Sequence, residues 1–298
     1  MIRHPDILCI GSVLWDIIGR SASVMRQGSD VPGRISRLPG GVALNIAMTL
    51  ARFGLRPALL SAVGRDAEGH ELIAAAEDLG LETEYVYRSD DLPTDRYMAI
   101  EGANGLIAAI ADAHSLEAAG DKILRPLADG RLGTATAPWR GPVALDGNLT
   151  RPLLERIARD DMFAQADLRV APASPGKAER LNPFIAHNRG TLYVNLEEAG
   201  ILCADQFPDS TTAAQGLVAR GAARVLVTNG GNDAAEARAG AETLTARPPQ
   251  VLVTRVTGAG DTFMAAHIAA ERAGADPAAA LPRALEAAAR YVSGETPL

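Results

Sequence analysis

The chain is poor in cysteine, in aromatic residues and in lysine, and each shortage closes off a class of function. There are two cysteines, Cys9 and Cys203, far apart in sequence. Neither belongs to a CxxC pair, which argues against a zinc or redox motif. Cys9 lies inside an apolar run and reads as a small hydrophobe of the core. The five histidines show no HExxH-type spacing, so a histidine metal site is not expected. No run of about 18 apolar residues is present, so no membrane span is expected. The start lacks the pattern of a signal peptide, because the apolar run after Asp6 contains Gly, Ser and Asp. A soluble cytoplasmic protein is the expectation. Positive charge is in deficit: Lys plus Arg is 29 against 36 for Asp plus Glu, a net charge of −7. That balance argues against nucleic acid as a partner. Of the 29 basic residues only Lys122 and Lys177 are lysines, so surface arginine carries little information here.

What is present suits a globular chain: 298 residues, 47% hydrophobic and 22% charged. A chain of this length buries roughly three quarters of its unfolded surface and needs no staples. Residues 7–11 read as a buried strand ending in Gly. Residues 42–53 carry apolar side chains at helical spacing and close on Gly54. Further strands are expected at 58–63, 143–145, 168–171, 192–194 and 224–228. Helices are expected at 71–79, 151–159, 177–187, 197–202, 211–220, 261–273 and 277–292. Strands alternating with helices imply a doubly wound, mostly parallel sheet flanked by helices. One stretch breaks the rhythm. Residues 97–101 and 106–111 flank Ala103-Asn104-Gly105, and Asn-Gly is a strong hairpin signal. With the irregular segment 13–39, this hairpin fits a small β-sheet appendage.

Two motifs could carry chemistry. Thr257-Gly258-Ala259-Gly260-Asp261 stands directly before a helix. Small residues let backbone N–H groups approach an anion, and a helix N-terminus adds roughly half a positive charge there. An Asp in this place can equally be an N-cap. A dinucleotide-binding GxGxxG reading fails because the third small position is Phe263. A P-loop fails because neither lysine completes GxxxxGK[ST]. The second motif is Gly40-Gly41-Val42-Ala43-Leu44-Asn45-Ile46-Ala47, followed by Gly54 and Gly64. It opens a helix and carries an amide, Asn45, near its start. Alone it could be no more than a Gly-rich helix entry.

Together, in this order and about 215 residues apart, the two motifs resemble the two signatures of the PfkB (ribokinase-like) carbohydrate kinases. The resemblance covers nearly the whole chain. It implies a ribokinase-like α/β fold with a small β-sheet lid. Residues 1–12, 40–93 and 113–298 would form the main nucleotide-binding and catalytic domain. Residues 13–39 and 94–112 would form the discontinuous lid. It also implies transfer of the γ-phosphoryl group of ATP to a primary hydroxyl. Asp261 would be the base, and Gly258, Ala259 and Gly260 would cradle the transferring group. Asp16, Gly41 and Asn45 would hold the substrate. Asp146-Gly147-Asn148, Asn195-Leu196-Glu197-Glu198 and Thr228-Asn229-Gly230-Gly231 resemble turns near the nucleotide, which assigns Asn148, Asn195, Thr228 and Gly230 to it. Glu198 would organise Mg2+, largely through water. The family often uses a monovalent cation, K+, bound by backbone carbonyls near the second signature, and Arg255 stands at that edge. His267 and Asp233 also depart from the pattern.

Within the family the resemblance is closest to the pseudouridine kinases. It rests on Pro93-Thr94-Asp95-Arg96-Tyr97, on Ala109-Ile110-Ala111-Asp112, on Asp146-Gly147-Asn148-Leu149 and on 171–178, where Ala171 replaces the usual Asp. The expected reaction is phosphorylation of the 5′-hydroxyl of a nucleoside, pseudouridine first. The alternatives are a kinase for ribose or another furanose, and a catalytically silent binding protein on the same fold. Lys177, a lysine in an arginine-rich chain, is a candidate for nucleoside recognition. The resemblance further implies a homodimer formed through the lid.

Overall fold

The computed structural model describes residues 4–295, so the expected domain segments are followed within those limits. The chain opens with strand β1 (Ile7–Ile10), then β2 (Leu14–Arg20) and β3 (Arg34–Gly40). Helix α1 (Val42–Arg52) follows, then β4 (Pro57–Leu60), β5 (Ala62–Gly64), α2 (Ala67–Asp78) and β6 (Tyr87–Ser89). The hairpin β7 (Arg96–Gly102) and β8 (Gly105–Asp112) leads into α3 (His114–Ala119). After it come β9 (Pro142–Asp146), α4 (Arg151–Arg159), β10 (Asp167–Ala171) and α5 (Asn182–Ala186). The alternation continues with β11 (Thr191–Asn195), α6 (Leu196–Cys203), α7 (Ser210–Ala219) and β12 (Arg224–Thr228). A hairpin of β13 (Ala234–Arg238) and β14 (Leu244–Ala246) precedes α8 (Ala259–Arg272) and α9 (Pro277–Ser293).

The main sheet has eight strands in the order β14-β13-β12-β11-β10-β9-β1-β4. From β4 through β12 neighbouring strands are parallel, and β13 and β14 add an antiparallel edge. A sheet covered on both faces needs apolar residues at every strand position, and β1 is buried throughout. Its period of two divides the core. Leu8 and Ile10 point into the layer formed with α4, α6 and α7. Ile7 and Cys9 point into the layer formed with α1, α2, α8 and α9. No helix among the described residues is long and apolar enough to cross a membrane.

A second sheet stands on this base, in the order β3-β2-β7-β8. Its strands come from the segments around 13–39 and 94–112. The first of these, expected to be irregular, holds two regular strands, because pairing with β2 along seven positions keeps the polar β3 extended. Register fixes its faces. Asp16, Leu38, Tyr97 and Ala111 lie in one row, and the next row, Ile17, Arg37, Met98 and Ile110, points the other way.

Three other elements differ from expectation for local reasons. The strand expected over 58–63 is divided at Ser61, whose hydroxyl donates to Gly11 O. Helix α2 starts at Ala67 because Asp66 caps it, accepting from Gly69 N at 2.7 Å. The helix expected over 177–187 is a 3₁₀ stretch, 175–181, followed by the short α5. Pro183 in the first turn of α5 offers no N–H to the preceding turn, so one continuous α-helix cannot run through it.

Candidate active site

The parallel strands end along one edge, and the polar side chains singled out in the sequence gather there. Asp146 ends β9, Asn195 ends β11 and Thr228 ends β12, with Asn195 and Thr228 directly opposite in register. In open α/β sheets this edge is where ligands bind.

Asp261 reaches the same edge from α8. The residue capping that helix is Gly258, at φ 87°, so Asp261 occupies the third helical position and is not the N-cap. Only glycine fits at 258, since a Cβ would stand 2.5 Å from the Tyr291 hydroxyl. That hydroxyl donates to Thr257 O at 2.8 Å. The Ala259 N–H donates to Val256 O at 3.0 Å, so it is engaged within the loop. The Gly260 and Asp261 N–H groups have no acceptor outside the helix among the described residues. A Cβ at Gly260 would meet open space, so the helix start is uncovered there.

The first glycine motif packs against this helix start. Gly41 has φ 96°, and a Cβ there would lie 2.5 Å from Ser12 O. A Cβ at Gly40 would collide with the Asp16 carboxylate. The two glycines thus let α1 begin tightly against the loop after β1 and beside Asp16. Asn45, one turn into α1, donates its amide to Asp261 Oδ2 at 3.0 Å. Two residues 216 positions apart are joined there, and the expected substrate ligand Asn45 also orients the expected base.

Asp146 is the hub beneath. Its Oδ2 accepts from Ser12 N, from Ser12 Oγ and from Ala43 N, and its Oδ1 accepts from Asn148 N. It is fully buried and ties β9, the end of β1 and the start of α1. Asn148 donates to Ser12 Oγ at 2.9 Å and accepts from Lys177 Nζ at 2.6 Å. Lys177 therefore stands with Asn148, and its charged neighbours are Arg180, Asp146 and Glu117.

Asn195 and Glu198 form a reciprocal capping box at the start of α6. Glu198 N donates to Asn195 Oδ1 at 2.9 Å, and Asn195 N donates to Glu198 Oε2 at 2.8 Å. Gly230 follows β12 at φ 55°, and neither it nor Gly231 would meet protein atoms within 4 Å of an added Cβ. That turn is open at the sheet edge.

The carboxylates here are held away from their ordinary state. Burial pushes Asp261 up to about 7, and the charges of Asp146, Asp16 and Glu198 add to it against the opposing Asn45 hydrogen bond. Burial lifts Glu198 to about 7 and Asp16 to about 6. Four carboxyl groups thus share one region with two cations at its Asn148 side, Lys177, itself lowered by burial, and Arg180. A divalent cation would suit that excess of negative charge. Among the described residues no three His, Cys, Asp or Glu side chains converge to hold a metal, so Mg2+ would draw most ligands from water and phosphate oxygens.

Several partners were invisible to motif reading. Ser12 serves five hydrogen bonds at the junction, and Tyr97 is lifted by burial and by the nearby Asp16 charge. The departures also find places. Arg255 donates from Nε to Tyr291 O at 2.7 Å and lies 3.9 Å from that ring's centroid, buckling the loop before α8 onto α9. His267 is fully buried, with Nδ1 2.9 Å from the Tyr193 hydroxyl. Ala171 ends β10 opposite Asp146.

Comparison with known proteins agrees with this architecture. The model of the pfkB family carbohydrate kinases matches residues 4–295. A pseudouridine kinase of Escherichia coli (strain K12) is 28% identical over 273 residues, covering 89% of this chain and 83% of that protein. A carbohydrate kinase from Agrobacterium tumefaciens superposes with a TM-score of 0.78 at 25% identity, over 96% of this chain and 90% of that one. A ribokinase of Arabidopsis thaliana complexed with ribose and ATP shares the fold, with a TM-score of 0.74 at 20% identity over 97% and 93% of the two chains.

Proposed function

The chain belongs to the pfkB family of carbohydrate kinases, phosphotransferases that act on alcohol groups, and from that premise we propose an ATP-dependent nucleoside kinase with pseudouridine as its first substrate. The observation that carries the reading is Asp261. It sits in the first turn of α8, beside N–H groups that have no acceptor outside the helix among the described residues, with its carboxylate oriented by Asn45. Phosphoryl transfer needs positioning and charge neutralisation more than covalent chemistry. Asp261 accepts the proton of the attacking 5′-hydroxyl as the new O–P bond forms. A base with a pKa near 7 is well matched to that task at neutral pH. The N–H groups of Gly260 and Asp261 meet the charge on the transferring group, and the Ala259 N–H is spent on the loop that shapes them.

Asp16 holds the substrate hydroxyls from the second sheet, in the row that also carries Tyr97 and Leu38. Asn148, Asn195, Thr228 and Gly230 line the nucleotide, and Lys177, bonded to Asn148, recognises the nucleoside. Glu198 would hold Mg2+ through water, and the cation would supply charge neutralisation to the phosphates. The second sheet acts as a lid that keeps water from the phosphoryl group. Its opposite face exposes Ile35, Met98, Ile100 and Ile110, and a second copy of the chain covers that face. The cytoplasm, where ATP is available, is the proposed location.

The second reading is a kinase for ribose or another furanose, which the same Asp16 and Asn45 would serve. A panel of pseudouridine, uridine, adenosine, inosine and ribose, followed by coupled ADP release, separates the two. The largest kcat/KM is expected with pseudouridine. Preference for ribose would replace this reading with the second, and no turnover on any substrate would support a silent binding protein. Asp16→Ala is expected to raise KM for the nucleoside with little change in KM for ATP.

A further inference from the structure

Away from the cleft, a groove of about 430 Å3 runs between the end of α1, the first turn of α8 and one face of α9. Its size lies in the range of small-molecule sites. Arg52 and Phe53 form one wall, and Arg283 and Arg290, two turns apart on α9, form the other. Phe53 is 50% exposed and Tyr291 closes the floor. Glu286 stands three residues after Arg283 and four before Arg290, both spacings that bring helical side chains together, and the four-residue spacing closes ion pairs elsewhere in this chain, as in Arg156–Asp160 and Arg159–Glu155. Here neither pair forms, and no acidic partner takes Arg52, Arg283 or Arg290 among the described residues. Three guanidinium groups without acidic partners thus rim a lining of Phe53, Tyr291, Ala287 and two threonines, with Glu286 the one carboxylate among them. Burial and the neighbouring charge of Arg255 both lower the Arg52 guanidinium.

We propose that this groove binds a phosphate monoester carried on a planar ring, a ligand of the nucleoside monophosphate class, at a site separate from the reaction cleft. Guanidinium forks match phosphate oxygens in geometry and charge, and a half-exposed phenyl ring offers a stacking face for a base. The site touches the reaction machinery at one remove. Thr262, which lines the groove, follows Asp261, and Tyr291 holds Thr257 O at the cradle of α8. An occupant therefore bears on the segment that sets the base.

The test is calorimetric titration of uridine 5′-monophosphate, and separately of inorganic phosphate, into the ADP-saturated full-length protein. Binding of the monophosphate is expected, weakened about tenfold or more in Arg52→Gln/Arg283→Gln, since each charged contact is worth at least that factor. The same affinity is expected to persist in Asp16→Ala, whose altered group lies in the cleft. Phe53→Ala is expected to weaken the monophosphate and leave inorganic phosphate unchanged. A melting temperature equal to that of the natural protein keeps the arginine result interpretable. Loss of binding only in Asp16→Ala, indifference to the arginine substitutions, or no binding in the millimolar range each overturns the proposal.

Discussion

Helix α8 carries a carboxylate near each end, and the two stand in opposite electrostatic surroundings. Asp261 and Glu271 are about 15 Å apart along the helix. Glu271 meets arginines. Arg224 Nη2 donates to its Oε1 at 2.6 Å, and Arg169 Nη1 donates to its Oε2. Burial works against the Glu271 charge, but these partners outweigh it and hold the group down at about 2. Glu236, on the neighbouring strand β13, accepts from Arg224 and Arg238 and is likewise lowered against burial. At the other end, Asp261 shares its region with Asp16, Asp146 and Glu198, and its strongest partner is a neutral amide. The same residue types are pushed in opposite directions by one difference, the presence or absence of fixed guanidinium groups. The arginine-rich end balances its carboxylates with fixed cations and fastens α8 to the sheet. The carboxylate-rich end carries a charge excess that only a bound cation or a transferred proton relieves, which is the condition of a reaction site.

The sharpest way to break this contrast is to neutralise each end in turn. Asp261→Asn keeps the shape and the Asn45 contact and is expected to lower kcat about 10²-fold or more, the usual scale for a general base. Its melting temperature should not fall, because a buried charge with no cationic partner stabilises little. In the natural protein kcat should rise as pH passes about 7, where Asp261 loses its proton. Near-natural turnover in Asp261→Asn would remove this residue from the chemistry.

Glu271→Gln should show the converse. It leaves Arg169 and Arg224 short of a carboxylate in a nearly enclosed site. Breaking a buried pair this way costs about 3 kcal/mol of stability. Urea unfolding should show that loss, while kcat measured well below the melting temperature stays within about threefold. A fall in kcat like that of Asp261→Asn would mean the two ends are not separable.

How much of this contrast could be read from residues alone follows from distance along the chain. The helices α1, α8 and α9 were legible because their apolar spacing and closing glycines are local. Strand β3, Arg-Ile-Ser-Arg-Leu-Pro-Gly, was not, because it is mostly exposed and owes its shape to its partner. Pro183 was visible, yet its effect on the helix expected over 177–187 depended on where α5 began. In the site, Gly258, Gly260 and Asp261 stood out as a motif, and the scarcity of lysine pointed to Lys177. The bonds Asn45–Asp261 and Ser12–Asp146 span 216 and 134 residues, and no spacing rule predicts such contacts. The arginine network was equally hidden, since His267 read only as a departure from a signature.

A smaller effect probes how the reaction end is held from outside. Arg255→Ala removes the guanidinium that lies over Tyr291 and donates to its carbonyl. A part-buried cation–π contact plus one such hydrogen bond is worth about 1 to 2 kcal/mol. If the buckle positions the start of α8, kcat should fall about fivefold to tenfold with KM for the nucleoside unchanged. A rise in KM without a change in kcat would place Arg255 in substrate binding instead.

The same comparison predicts how stability depends on pH, and the sign of that dependence differs between the two ends. Asp261, with an ordinary value of 3.8, is raised to about 7 when folded, and Glu198 moves from 4.5 to about 7. Between about pH 4 and pH 7 the folded chain therefore holds protons that the unfolded chain has released, so stability falls as pH rises through that window. Glu271 is lowered from 4.5 to about 2. Its contribution is fully present above about pH 4.5 and is lost as pH falls toward 2. Urea midpoints measured across both windows should thus decline on either side of about pH 4 to 5. Asp261→Asn should flatten the upper slope and leave the lower one, and Glu271→Gln should do the reverse. Mg2+ with a bound nucleotide should also flatten the upper slope, since a cation nearby favours the charged carboxylates. An upper slope indifferent to Asp261→Asn would show that this carboxyl titrates normally, and the contrast between the two ends of α8 would then rest on geometry alone.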